Sequence, residues 1–414
     1  MIFSGCEQHS GLGSVFWHRA AMQAPATVFS QITAALYPAE FSRCVERFPG
    51  RRPPRGLSAY DHFLALCFRQ LTYRESLRDI VACLRAKPRL LYHLGFRGRL
   101  SRTNLAYANH HRDWRLFEAL AQVLMRRAAQ LYHADLADPD LPNVAFALDS
   151  SVIALCLNLF PWGYYARSQK AAVRLHLLLS LQGNLPAWAA VTEPHFPDCK
   201  TLDQVPALPG AFYIMDRSYL DFVRLYRLHQ VGALFVVRCM RHVAFRVLAS
   251  EPVDKSTGLR CDQTIRLTSD WSAQSYTEPL RRLRIYDAKN QMNLLLLTNQ
   301  MNLPATVIAQ LYRQRWQVEL FFKWIKQHLH VRSFYGRSQN AVRCQIWSAI
   351  CAYLMVAIVK KTANLNKSLN EILQIISVNI FEQSSLTELL ADEPRAIIEK
   401  PAEAHSQNSF RFID

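Results

Sequence analysis

Five short apolar runs between residues 144 and 239 constrain the fold of this chain more than any other feature. The runs are VAFALDSSVIAL (144–155), AVRLHLLLSL (172–181), AWAAVTE (187–193), AFYIMDRSYL (211–220) and ALFVVRC (233–239). Each has the length of a strand, and QGN between the second and third runs predicts a hairpin turn. Because a helical stretch, DFVRLYRLHQ, separates the last two runs, the order predicts an α/β sheet with an antiparallel meander on one side.

Two of these runs contain a single aspartate, Asp149 in the first and Asp216 in the fourth. A carboxylate inside an apolar strand is costly to bury unless it is paired or bound to a metal. Two such residues on strands that we expect to be neighbours favour a shared site. The alternative is that each aspartate caps the loop that follows it.

The stretch LYRQRWQVELFFKWIKQHL (311–329) mixes aromatic and charged residues, and we interpret it as one continuous helix. At 100° per residue, a stripe about 60° wide contains Tyr312, Arg315, Glu319 and Lys326. An apolar stripe directly beside it consists of Leu311, Val318, Phe322, Ile325 and Leu329. A solvated charged face would lie opposite the apolar stripe, so the pattern predicts that the polar stripe faces a cleft at the edge of the core.

These side chains fit phosphodiester chemistry. Two strand aspartates and a helix glutamate offer the hard oxygen ligands that Mg²⁺ prefers. Two ions about 4 Å apart can activate a water or hydroxyl and stabilise the leaving oxygen. Arg315 can grip a phosphate with two hydrogen bonds, and Lys326 can add a point charge. A ribonuclease-H-like sheet is the familiar scaffold for such a layout.

The segment YRQRWQVELFFKWIK (312–326) fits the pattern Y-(2)-R-(3)-E-(6)-K at every spacing. With ALDS around Asp149 and YIMDRSYLDF around Asp216, it resembles the DDE transposases of bacterial insertion sequences, in the YREK-signature group that moves by cut-and-paste through a hairpin. The resemblance runs from about Thr27 to Glu382. It includes QLTYRESLRDIVACL (70–84), which is similar to the end-binding domain of that group.

The resemblance implies that the catalytic residues and metal ligands are Asp149, Asp216 and Glu319, holding two Mg²⁺ ions for which Mn²⁺ is expected to substitute. It implies that the DNA-end phosphates and the hairpin are held by Tyr312, Arg315 and Lys326. Three positions depart from the pattern of the group, namely Ser180, Pro197 and Ser218. They leave the activity of this copy open.

Two further residues are candidate DNA contacts because they lie beside these motifs. His176 lies in the second run, where a core histidine with satisfied hydrogen bonds is the alternative interpretation. Arg217 follows Asp216 directly, where a structural salt bridge is the alternative.

The charge of the chain predicts a polyanionic partner. Lys and Arg number 49 against 32 Asp and Glu, a net charge of +17. Residues 1–102 carry 15 Lys and Arg and 6 Asp and Glu, whereas residues 382–414 carry 3 and 7. The simplest such partner is nucleic acid, with contact beginning in the N-terminal domain. The resemblance to DDE transposases implies that this partner is double-stranded DNA, both as element ends and as target. The alternative is a basic protein without such a partner.

The predicted order of domains starts with an N-terminal extension (1–26) and a helical DNA-end-binding domain (27–135), for which a dimerisation bundle is the alternative. A ribonuclease-H-like catalytic domain (143–338) follows, with a β-rich insertion at about 240–298 that alternates β-like runs with turns. A helical, acidic C-terminal region (339–414) is predicted to support a homodimer in the synaptic complex. Translation can start at Met1 or at Met22.

The ten cysteines are scattered and contain no CxxC pair, which indicates reduced thiols in a cytosolic protein. The apolar run IWSAICAYLMVAIV (346–359) has 14 residues, fewer than the roughly 18 to 20 that span a bilayer, and predicts a buried helix. No membrane partner is therefore expected, and the predicted location is the bacterial cytoplasm, associated with the nucleoid.

The sequence thus predicts a DDE transposase. One alternative is a metal-dependent endonuclease on the same fold, which cuts DNA without joining it. The other is a catalytically decayed copy that binds DNA as an inhibitor, against which the intact set of three acids argues.

Overall fold

The computed structural model describes residues 26–50, 56–132, 143–156, 158–165, 170–240, 242–288, 291–328 and 334–391. Met22, the N-terminal extension and most of the acidic tail lie outside these residues. The nine cysteines in the described part of the chain are all free thiols, as the sequence predicts.

Six α-helices of the described chain precede the sheet, in the region that the sequence predicts to be helical. They are α1 (Val28–Thr33), α2 (Pro38–Arg47), α3 (Ala59–Thr72), α4 (Leu77–Arg85), α5 (Arg102–His111) and α6 (Arg115–Tyr132). Serine side chains cap three of them by accepting a backbone N–H of the first turn, at Ser58, Ser76 and Ser101.

The central sheet begins with six strands. They are β1 (Ala145–Leu155), β2 (Tyr164–Tyr165), β3 (Lys170–Ser180), β4 (Leu185–Thr192), β5 (Phe212–Met215) and β6 (Leu234–Arg238). The predicted meander is present, because β3 pairs antiparallel with both β1 and β4. On the other side β1, β5 and β6 are parallel, and α7 (Phe222–Gln230) connects the last two. This mixed order is consistent with a ribonuclease-H-like core.

The predicted insertion continues the same sheet. It contains β7 (Phe245–Glu251), β8 (Leu259–Leu267), α8 (Asp270–Ser275), β9 (Leu280–Asp287) and β10 (Met292–Thr298). Because β10 pairs antiparallel with β6, the sheet runs on from β6 through β10, β9 and β8 to β7.

From Ala305 onward the described chain is helical. The helices of this part are α9 (Ala305–Gln314), α10 (Trp316–His328), α11 (Gln339–Thr362), α12 (Leu369–Asn379) and α13 (Leu386–Leu389). By length and composition α11 could cross a membrane, but 89% of its apolar window is buried inside the protein. It packs against α3 and α6, so the prediction of a buried helix is confirmed, although the helix has 24 residues and the apolar run only 14.

The prediction of one continuous helix over 311–329 is wrong, because the helix breaks at Arg315. The N–H of Arg315 bonds to the carbonyl of Tyr312, three residues back, which tightens the end of α9. Leu311 and Tyr312 are buried beneath β5, β6 and β10, whereas Val318 and Phe322 are buried in a different cluster that includes α11. The break lets each helix bury its own apolar face; Leu329 lies outside the described residues.

One hydrophobic core joins segments that the sequence assigns to separate domains. It contains side chains from α1 to α6, from one face of β1, β3 and β4, and from α10, α11 and α12. The N–H of Val28 also donates to the carbonyl of Glu382 at 2.8 Å, tying the first helix to the end of the described chain. DNA-end binding by α1 to α6 and dimerisation by the C-terminal helices remain predictions.

Candidate active site

The two strand aspartates lie at the same level of the sheet. In the parallel pairing of β1 with β5, Leu148 is opposite Met215, so Asp149 and Asp216 are the next residues of their strands. Side chains alternate along a strand, which places Asp149 on the same face as Ala145 and Ala147. This face is covered by α9 and α10, because its residues belong to the clusters that bury Tyr312 and Phe322.

Arg315 connects Asp149 to Glu319. Its Nη1 donates to Asp149 Oδ2 at 3.0 Å, and its Nη2 donates to Glu319 Oε1 at 2.6 Å. The guanidinium carbon also lies 5.8 Å from the centre of the Tyr312 ring, within cation–π distance. The break at Arg315 therefore places one cation between two carboxylates that are 166 and 4 residues away in sequence.

Burial dominates the electrostatics of this cluster. It raises the pKa of Asp149 to about 6, opposed by the Arg315 charge and by the Ser150 N–H, which donates to Asp149 Oδ1 at 2.7 Å. The neighbouring charges of Glu319 and Asp216 raise this pKa further. Burial also raises the pKa of the Tyr312 hydroxyl, which stays protonated and able to donate a hydrogen bond.

A cleft of about 450 Å³ opens at this cluster. Its lining consists of Asp149, Ser150, Ser151, Glu319, Phe322, Lys323, Lys326 and Gln327. Lys326 Nζ donates to Ser151 Oγ at 2.5 Å, so the fourth signature residue reaches the strand that carries Asp149. Lys323 also lines the cleft but is not among the residues selected from the sequence, although at 100° per residue it lies only about 20° from Tyr312 around the helix.

The donor atoms of the cluster fit a divalent cation in chemistry. Carboxylate oxygens are the hard ligands of Mg²⁺ and Mn²⁺. The buried Oδ1 of Asp216 has no hydrogen-bond partner among the described residues, so one ligand oxygen is unsatisfied. Within the same residues no three His, Cys, Asp or Glu side chains converge closely enough to hold a metal. Arg315 donates to both Asp149 and Glu319, so these two carboxylates would have to leave Arg315 before they join Asp216 around an ion.

A second, basic cleft of about 920 Å³ lies along the inserted strands. Its charged lining consists of Arg217, Arg238, His242, Arg282 and Arg284, and no Asp or Glu of the described chain lines it. Arg217 is exposed and forms no ion pair within the described residues, so the salt-bridge alternative is not observed there. Arg217, which directly follows Asp216 in the chain, lines this cleft, so the basic cleft reaches the turn after the second acid.

Comparison with known families agrees with this geometry. Residues 141–355 match the model described as "Transposase DDE domain", which is more than half of the 414 residues. The chain belongs to the DDE transposase domain family. Residues 25–97 match a second model, described as "Domain of unknown function (DUF4372)", which covers the first four helices, α1 to α4.

Similar proteins carry transposase names. The putative transposase y4zB of Sinorhizobium fredii is 28% identical over 246 residues, 58% of this chain and 68% of the relative. The probable transposase for insertion sequence element IS5377 of Geobacillus stearothermophilus is 29% identical over 52% of this chain and 56% of the relative. The putative transposase for IS4SA of Synechocystis is 23% identical over 51% and 59%. A solved piggyBac transposase synaptic complex with hairpin DNA covers 81% of this chain and 83% of its own, with a TM-score of 0.38 and 10% identity.

In this DDE-family chain, His176 is not on the face of the acids. It pairs in register with Ser150, one residue beyond Asp149, and therefore points to the opposite face of the sheet. Its ring is fully buried, and Nε2 lies 2.9 Å from Thr192 Oγ1. Burial lowers the pKa of His176 to about 4. The structure therefore places it where the core-histidine interpretation applies, and DNA contact by His176 remains an untested prediction.

The buried histidines should make stability fall with acidity. His176 has a pKa of about 4 in the folded chain against 6.5 for an unperturbed histidine, so the unfolded state takes up the proton first as pH falls. The stabilisation that neutral His176 contributes is complete above about pH 7 and decreases toward pH 4, with a loss of about 2 kcal/mol at pH 5 from this one group. Burial lowers the pKa of His62 to about 3, so His62 adds to the loss of stability. Chemical denaturation at pH 7 and pH 5 measures the difference.

Replacement of His176 by Gln should reduce the pH 5 loss by about 2 kcal/mol. Replacement of His195, which is 67% exposed beside Glu193, should leave the loss unchanged. If the His176→Gln chain lost as much stability between pH 7 and pH 5 as the wild-type chain, His176 would not be the buried neutral group responsible for the loss.

Proposed function

We propose that this chain is a DNA transposase that cuts the ends of an insertion sequence and joins them to target DNA. One observation carries the proposal. Arg315 holds Asp149 and Glu319 together from distant parts of the chain, and Asp216 stands at the same level on the neighbouring strand. Family membership supports the reaction class, and the cleft at these acids supports its location.

In the proposed reaction each side chain of the site has its own role at the phosphodiester. Divalent ions such as Mg²⁺, or Mn²⁺ in its place, when bound by Asp149, Asp216 and Glu319, would supply Lewis acidity at the attacking and leaving oxygens. Arg315 already donates to two carboxylate oxygens, and a DNA phosphate offers the same bidentate partner once those carboxylates take up cations. Lys326 adds positive charge at the strand of Asp149, and the protonated Tyr312 hydroxyl can donate to a phosphate oxygen.

Each proposed step is an in-line displacement at phosphorus. Water attacks the phosphodiester at the element end and releases a 3′-hydroxyl. That hydroxyl attacks the opposite strand to form a hairpin, and a second water reopens it. The same 3′-hydroxyl then attacks a target phosphodiester and joins the element to new DNA.

The partners follow from the reaction and from charge. The basic cleft beside the site, which contains Arg217 and Arg238, offers a path for a polyanionic strand. Two element ends have to be paired for insertion, so we infer a homodimer in the synaptic complex. We expect the protein to act where bacterial DNA is, in the cytoplasm at the nucleoid.

Joining of DNA separates a transposase from a nuclease. The full chain is incubated with Mg²⁺, a target plasmid and duplexes that carry the inverted repeats flanking its gene, supplied with ends already cut to a 3′-hydroxyl. We expect covalent joining of these ends to the plasmid, read as slower-migrating labelled product on a denaturing gel. Uncut duplexes should also yield a covalently closed hairpin end.

Three results would change the assignment. Cutting without any joined product would establish the endonuclease alternative. Binding with neither cutting nor joining would establish the decayed inhibitor copy. Joined product without a hairpin would keep the transposase and remove the hairpin step.

A further inference from the structure

A buried polar cluster lies directly behind Asp149, on the opposite face of the sheet. Its centre is Asp198, whose Oδ1 accepts a hydrogen bond from Ser150 Oγ at 2.6 Å and one from Arg174 Nη1 at 2.8 Å. His176 Nδ1 lies 3.7 Å from the same oxygen. Asp198 and Arg174 keep only 16% and 15% of their side-chain surface exposed, so these contacts are made largely out of water.

Ser150 is the residue next to Asp149, so its hydrogen bond acts on the backbone that carries the first acid. A serine side chain at this level of β1 is otherwise free to turn about its own χ1 angle. Held by Asp198, it fixes the peptide unit between the two residues, whose N–H donates to Asp149 Oδ1 at 2.7 Å. Asp198, on one face of the sheet, therefore restrains the orientation of the Asp149 carboxylate on the other face.

Asp198 is connected to the second acid, Asp216, through a different contact. Asp198 begins a 3-10 segment (Asp198–Asp203) that packs against the 3-10 turn (Arg217–Tyr219) directly after Asp216. Tyr219 in that turn is fully buried, and the charges of Asp198 and Asp149 both act on its hydroxyl. The segment that contains Asp198 therefore touches both acid-bearing parts of the chain.

A buried ion pair is weak evidence for stability, because an apolar pair of the same volume often stabilises a fold as well or better. Unlike an apolar pair, an ion pair with hydrogen bonds fixes the orientation of its side chains. Asp198 accepts with one oxygen from both Ser150 on β1 and Arg174 on β3, which fixes the orientation of these two side chains relative to each other.

We propose that Asp198 is a positioning residue, which holds Asp149 through Ser150 and holds the turn after Asp216 through its own 3-10 segment. The inference rests on the proposed function, in which those two aspartates act as one site. Groups that orient ligands from behind typically change metal affinity or activity about 10- to 100-fold when removed.

The test compares Asp198→Ala with the wild-type chain and with Asp203→Ala. Asp203 lies in the same 3-10 segment but pairs with Arg224 and Arg227 at the surface, so it is the matched control. We measure Mn²⁺ affinity without DNA, DNA affinity, and the rate of end cleavage at saturating DNA. Asp198→Ala should lower Mn²⁺ affinity and cleavage rate about 10- to 100-fold and leave DNA affinity unchanged, and Asp203→Ala should change none of the three.

A double variant, Asp198→Leu with Arg174→Met, separates positioning from charge balance. It removes the unpaired buried charge that Asp198→Ala leaves behind, so its melting temperature should return toward the wild-type value. Cleavage and Mn²⁺ affinity should stay low. Recovery of both activity and stability in the double variant would overturn the inference, as would wild-type Mn²⁺ affinity in Asp198→Ala.

Failure of the proposed function would look different. If the wild-type chain bound Mn²⁺ but cut no DNA, and Asp198→Ala still weakened Mn²⁺ binding, the transposase proposal would fail and the positioning role would stand. If the wild-type chain cut and joined DNA and Asp198→Ala matched it in every measurement, the positioning role alone would fail.

Discussion

Replacement of Asp149, Asp216 or Glu319 by alanine is expected to reduce cleavage of element-end DNA on the order of 10³-fold or more, the scale on which one member of a catalytic unit acts. The physical reason is that Asp149 and Glu319 line one cleft and Asp216 follows the strand beside Asp149, so that in the proposed site each carboxylate would share in binding the same cations. Initial rates of end cleavage with labelled duplex and Mg²⁺ measure the effect.

The isosteric changes Asp149→Asn, Asp216→Asn and Glu319→Gln should be nearly as severe, because an amide cannot replace a charged ligand oxygen. DNA affinity should stay within a few-fold of the wild-type value, which rules out a loss of folding as the cause. Asp262→Asn provides a control in the same sheet, since Asp262 pairs with Arg281 away from the cleft. Cleavage that survived all three alanine changes would show that the reaction takes place elsewhere.

Replacement of Arg315 by Met should destabilise the metal-free chain. Arg315 is the cation that neutralises Asp149 and Glu319, and its removal leaves two partly buried carboxylates beside Asp216. Removing one partner of a fully buried pair costs about 3–5 kcal/mol. The side chains here are 16%, 19% and 33% exposed, so solvent screening reduces the expected loss to about 2 kcal/mol. Denaturant unfolding in EDTA measures it.

Addition of Mg²⁺ should restore most of that stability, because a cation at the acids would replace the missing positive charge. The matched control is Arg281→Met, which breaks a bidentate pair with Asp262 that is at least as buried. That variant should lose as much stability and recover none of it with Mg²⁺. Equal recovery in the two variants, or no recovery in Arg315→Met, would contradict the view that Arg315 stands in the place of a bound cation.

The strands and the acids could be predicted from sequence because their patterns are local. A lone Asp in an apolar run and a hairpin turn at QGN are visible within a few residues, and the turn is present with Gly183 and Asn184 at positive φ. The grouping of Asp149 with Glu319 was also predictable, since the spacing of the polar stripe indicates a cleft. The break at Arg315 was not, because it arises from two separate cores on which α9 and α10 pack.

Other features depend on contacts between distant segments. Asp198 is an ordinary loop residue in sequence, and its role follows from the register that brings Ser150 and Arg174 to the same oxygen. The continuation of the sheet into the insertion depends on the pairing of β10 with β6. The sequence contains a partial indication of the basic cleft, since Arg282 and Arg284 alternate along β9, but the approach of Arg217 and Arg238 to the same cleft could be known only from the fold.

The central claim is that Asp149, Asp216 and Glu319 form one metal-dependent site, and a crystal structure with Mn²⁺ and an element-end duplex tests it most directly. We expect anomalous density within about 2.5 Å of carboxylate oxygens of Asp149 and Asp216, with Glu319 turned toward it. Arg315 should have left Glu319 and should donate to a DNA phosphate. Anomalous density away from these carboxylates, with Arg315 still bridging Asp149 and Glu319 in the presence of DNA, would contradict the claim.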